Sequence, residues 1–245
     1  MKILLNLFIF LLLPLFKNEP TPPEYFGSSW DDAITFCIQN KNQFAQSFSK
    51  YSIEPDIAFA VVFPEIVRYN RYRDFIETSV LEYAYKRGGK EYADFSIGPF
   101  QMKPSFIEML EDILNHSDTV LKAKYPEVIR YDQHNPNLIR EERLTRLQNL
   151  DWQLTYLSCF LDIAIKKYSL DTSKDPLSSI IIISSAYNHG FEEDINKLVA
   201  LSKLKTFPYG KYAPGRFSYS DISIYFYKYH TNNIINESAY EKVTL

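Results

Sequence analysis

The chain has 245 residues, of which 46% are hydrophobic and 23% charged, values that suit one globular domain with a sizeable core. A net charge of −3 excludes a broad basic field for nucleic acid or acidic lipid, and an acidic polymer gains no electrostatic attraction from it. Cys37, Cys159 and the scattered His116, His134, His189 and His230 match no zinc or calcium spacing, so neither a metal nor another cofactor is expected.

Residues Met1–Phe16 carry one charge, Lys2, and a mostly apolar core through Leu13, shorter than the roughly 20 apolar residues that span a bilayer. They read as a secretory signal peptide, with a short uncleaved anchor as the alternative, and they predict export to the periplasm or cell envelope. Lys17–Ser29, with Pro20, Pro22 and Pro23, reads as an irregular leader, and the folded domain is expected over residues 30–245. In an oxidising compartment Cys37 and Cys159 could form one bridge. Both lie in apolar helical patterns, which favours buried free thiols.

From there the apolar residues recur at helical spacing and no sustained alternation appears, so the fold class is all-α. Asp31 or Asp32 begins a helix to about Ser49, and Pro55 opens the apolar helix Ile57–Tyr69 that carries Glu65. Pro64 inside that pattern predicts a kink or a stop. A helix over Tyr72–Lys86 is expected to end at Gly88–Gly89, and Pro104 to open another through Asn115. Glu141–Tyr168 is the longest periodic run. Asp175-Pro176 starts a helix that is apolar nearly all round through Tyr187, the mark of a buried central helix. A further helix covers about Phe191–Lys203. Loop Thr206–Phe217 then leads to a final aromatic helix, capped by Ser218 or Ser220 and ending near His230.

Three strings carry the candidate chemistry. Phe63-Pro64-Glu65 ends an apolar run, so the Glu65 carboxyl is expected against apolar side chains. Desolvation disfavours its charged form and keeps a proton donor near neutral pH. Ser96-Ile97-Gly98-Pro99-Phe100-Gln101-Met102 is a glycine-glutamine turn, and Ala186-Tyr187-Asn188-His189-Gly190 ends the buried helix. Aromatic residues reach 16%, which suits stacking on sugar faces.

In order and content these strings resemble the lysozyme-like fold of soluble lytic transglycosylases and goose-type lysozymes, over about residues 57–229. Those enzymes carry a catalytic Glu at a helix end, a Gly-Leu-Met-Gln-like turn and an Ala-Tyr-Asn-Ala-Gly string around an active-site cleft. The resemblance implies Glu65 as general acid and then base, with Ser96, Gln101, Tyr187, Asn188 and Tyr219 binding substrate in the cleft. It implies peptidoglycan glycan strands as the partner. Three features depart from the pattern. Ile66 stands where a serine usually follows the acid, the interval to Ser96 is longer, and His189 replaces a small residue.

On the transglycosylase route one carboxyl suffices, because the sugar's own 6-hydroxyl closes a 1,6-anhydro ring. A muramidase would direct water with a second acid, for which Asp94 is the first candidate, ahead of Glu77 and Glu82. A non-catalytic glycan-binding or envelope-scaffold protein on the same fold, and an unrelated secreted helical interaction protein, are the readings from other classes.

Overall fold

Prolines and short polar side chains set where the helices of this chain begin. The computed structural model describes residues 19–69, 74–209, 214–232 and 234. Among them thirteen helices follow one another: α1 (Pro22–Phe26), α2 (Ser28–Gln39), α3 (Lys41–Lys50), α4 (Pro55–Arg68), α5 (Asp74–Gly88), α6 (Pro104–His116), α7 (Thr119–Lys124), α8 (Pro126–Ile129), α9 (Pro136–Leu147), α10 (Leu150–Tyr168), α11 (Pro176–His189), α12 (Ile195–Leu201) and α13 (Tyr219–Tyr229). No strand occurs among the described residues, only two isolated bridges, and the all-α class holds.

Proline stands in the first turn of α1, α4, α6, α8, α9 and α11, where its missing N–H would have no helical partner anyway. Asp175 accepts from Ser178 N to cap α11, and Ser218 with Asp221 forms a capping box on α13. The starts of α4, α6, α11 and α13 fall where the sequence puts them. Gly89, at φ +75°, donates its N–H to the Tyr85 carbonyl and closes α5, as the paired glycines predict.

Other boundaries differ from the sequence expectation. Residues 22–26 and 28–29, read as leader, are helical, with Thr21 and Glu24 forming a capping box on α1. The helix expected to Ser49 breaks at Asn40, whose side-chain amide donates back to the Phe36 carbonyl. The long run Glu141–Tyr168 is two helices, because Asn149 leaves the helical region and its side chain caps Trp152 N. Pro64 does not end α4, which continues to Arg68. The proline leaves the Ala60 carbonyl without a helical donor, and the Tyr219 hydroxyl donates to the next carbonyl, Val61 O, at 3.1 Å. The apolar segment Met1–Phe16 and the start of the Tyr72–Lys86 helix lie outside the described residues. No described helix is long and apolar enough to cross a membrane.

Two helices form the centre. Every residue of α4 from Ile57 to Val67 is buried, and α4 packs against α13, α11 and α2. Phe63 stacks on Phe226 of α13 with centroids 3.9 Å apart, and Trp30 of α2 meets Phe63 edge-on. Helix α11 packs against α4, α10, α12 and α13 and is buried through its middle, at Ser179, Ile180 and Ile182–Ala186, while its two ends are partly exposed. Burying a Phe or Ile side chain stabilises by about 1.5–3 kcal/mol, so these contacts fix both helices firmly. Cys37 and Cys159 are buried and unbridged, and burial pushes both thiols up from their ordinary range.

Candidate active site

Glu65 projects from the last turn and a half of α4 and is only 3% exposed. Arg68, one turn on, brings Nη2 to 2.5 Å from Glu65 Oε2. At that distance the pair is a close charge-assisted contact, and no second donor reaches the buried oxygen among the described residues. Two effects then oppose each other. Burial raises the proton affinity of the carboxyl, while Arg68 and the more distant Lys103 lower it. Burial wins, and Glu65 is held above the ordinary carboxylate range.

Two phenols share this environment. Tyr187, from α11, and Tyr219, from the first position of α13, both lie close enough to feel the charge of Glu65. Burial is the larger reason that each is pushed well above the usual tyrosine range, so both stay protonated. The Tyr219 hydroxyl is committed to Val61 O, one turn before Glu65. The Tyr187 hydroxyl donates to the Phe100 carbonyl at 2.7 Å, and its ring meets Phe106 and Phe160 edge-on. That bond ties the end of α11 to the turn that carries Gln101.

The turn itself is a small hairpin. Ile97 and Met102 exchange two backbone hydrogen bonds, of 2.9 and 3.2 Å, around residues 98–101. Gln153, fully buried on α10, holds it from beneath by donating to the carbonyls of Ile97 and Leu147 and accepting from Phe100 N. Only glycine fits at position 98: its φ is +69°, and a Cβ there would lie 1.8 Å from Gln153 Nε2. Gln101 also takes a positive φ, 49°, and its side-chain amide donates to the Gly98 carbonyl. Ser96 sits half-buried at the foot of the hairpin.

The strings at 63–65, 96–102 and 186–190 therefore converge, with Tyr187 as the link. Two candidate residues are occupied elsewhere. Asp94 accepts from both the N–H and the hydroxyl of Ser105, which satisfies an orphan donor in the first turn of α6, and Lys103 Nζ lies 3.8 Å from it. Asn188 Nδ2 pairs with His189 Nε2 at 3.2 Å, and burial lowers the imidazole's proton affinity. Of the weaker acid candidates, Glu82 accepts from Gln148 Nε2 at the surface. Sequence reasoning missed Arg68, Lys103 and Gln153. Arg68 was readable, because a cation three residues after a helical Glu faces it. Gln153 was not, since its partners lie on a distant hairpin.

No family model matches the chain, and no curated protein or solved structure matches it.

Proposed function

We propose that the chain is an exported lytic transglycosylase on a lysozyme-like fold. It cleaves the β-1,4 bond between N-acetylmuramic acid and N-acetylglucosamine in peptidoglycan, with Glu65 as the single acid and base. One observation carries this reading. A buried carboxyl whose proton affinity is raised by burial lies near two neutral phenols, and one of these is bonded to the glutamine-bearing hairpin.

In this mechanism Glu65 gives its proton to the bridging oxygen as that oxygen leaves the anomeric carbon and positive charge spreads onto the ring oxygen. The muramyl 6-hydroxyl then attacks the anomeric carbon, and the Glu65 carboxylate takes the hydroxyl proton. A 1,6-anhydro ring is closed, and Glu65 is protonated again. Tyr187 and Tyr219, unable to ionise, hold the acid's surroundings without adding negative charge. Asp94, with its oxygens engaged by Ser105, favours this single-acid route over a muramidase that uses it to direct water.

The scaffold reading has one observation of its own. The Glu65 side chain is 4% exposed and paired with Arg68, an arrangement that also serves to hold a helix end. Digestion of purified sacculi by the full chain, with mass spectrometry of the fragments, separates the readings. Anhydro-muramyl ends are expected, and Glu65→Gln keeps sacculus binding while turnover falls by roughly 10²–10⁴-fold. Reducing ends would establish the hydrolase, and a wild-type protein that binds but releases nothing would establish the scaffold.

A further inference from the structure

Arg68 has a second neighbour besides Glu65. Its side chain, 31% exposed, lines an open cavity of about 570 Å³ between α2 and the end of α4. That volume lies within the usual range for small-ligand sites. The facing wall is a stripe along α2, where Ser29, Asp32, Phe36 and Gln39 recur at helical spacing with Thr35 beside them. Hydroxyl, carboxylate and amide groups serve both the donors and the acceptors of sugar hydroxyls, and Phe36 offers an apolar face to ring C–H groups. Arg68 is the one cation among the described lining residues. Asp32 opposite it disfavours a multiply charged anion such as a phosphate, which leaves a monocarboxylate as the matching charge.

We propose that this cavity binds an anionic saccharide, whose single carboxylate pairs with Arg68 on the side away from Glu65. The inference deepens the glycan-cleaving reading and rests on it for its purpose. A guanidinium has five N–H donors in a planar fork, and Nη2 is the nitrogen that lies 2.5 Å from Glu65. A carboxylate arriving from the cavity takes the remaining donors and puts a second negative charge near Glu65. Like charges sharing one cation favour protonation of one of them, and the buried carboxyl is the one that takes the proton. Occupancy of the cavity thus loads the acid for catalysis.

The test uses the full chain, titrated by NMR and calorimetry with N-acetylmuramic acid, whose lactyl carboxylate is free, and with N-acetylglucosamine, which has none. The first is expected to bind at least about tenfold more tightly than the second. By reciprocal coupling, Glu65→Gln binds it more tightly still, by about fivefold or more, because the competing anion is gone. Thr35→Trp and Gln39→Trp, made at exposed positions of the facing wall, fill the cavity and abolish binding while the helical circular dichroism is kept. Equal affinity for the two sugars, no binding of N-acetylmuramic acid, or binding untouched by both tryptophan variants would each overturn the proposal. Carboxylate-selective binding without sacculus cleavage strikes the catalytic reading alone. Cleavage without such binding strikes the cavity proposal alone.

Discussion

Glu65 and Glu111 are both carboxylates buried beside an arginine, but the protein completes the shell of one and leaves the other short. Arg143, on α9, grips Glu111 of α6 with two parallel bonds, Nε to Oε1 at 2.9 Å and Nη2 to Oε2 at 2.6 Å. Tyr131 donates to the same carboxylate, and Arg143 is satisfied further by Tyr85 and Glu108. At Glu65 Arg68 Nη2 approaches Oε2 at 2.5 Å, and the neighbouring phenols of Tyr187 and Tyr219 donate to backbone carbonyls instead of to the carboxyl. A fully bonded pair of this kind is a fixture that locks helices together. A poorly bonded carboxyl in an apolar wall is one that prefers its proton, and this is the property that acid catalysis needs.

The comparison can be broken by removing each arginine in turn. Arg143→Met leaves Glu111 buried with its main partner gone and is expected to cost about 3–5 kcal/mol in chemical denaturation. Arg68→Met is expected to cost markedly less, because Glu65 can take up a proton instead of bearing an unpaired charge. Equal losses would mean that the Arg68 pair is as structural as the other.

Stability against pH sharpens the same contrast. The folded pKa of Glu65 is raised above its unfolded value, so the folded chain holds that proton more tightly than the unfolded one. Its contribution is therefore full below the ordinary Glu range and is lost as pH rises through the folded pKa. Glu65→Gln removes this slope, and thermal unfolding at pH 4 and pH 8 should show the variant gaining relative to wild type at the higher pH. The smallest effect is expected from Tyr219→Phe, which deletes the bond to Val61 O beside Pro64 and costs about 1 kcal/mol by denaturant titration.

Much of this arrangement was legible in the sequence because its signals are local. A proline at a helix start, Asp175 before Pro176, the Ser218 cap and the glycine after Tyr85's turn each act within a few residues of the boundary that they set. The breaks at Asn40 and Asn149 were missed for a different reason. The helices on either side bury faces that stay in phase, so apolar periodicity runs across the break, and only the cap chemistry of the asparagines marks it. The position of Glu65 in an apolar wall was readable from its own helix. Its link to Gln101 was not, because it passes through the Tyr187–Phe100 bond and the support of Gln153, contacts between residues far apart in the chain.

The most direct measurement is the titration of Glu65 itself, followed by the carboxyl carbon resonance in the full chain and assigned by its absence in Glu65→Gln. The account predicts a midpoint above the roughly 4.3 of an unperturbed glutamate. A midpoint at or below that value would show that Arg68 governs the carboxyl, and that the protein holds a salt bridge there instead of a proton donor.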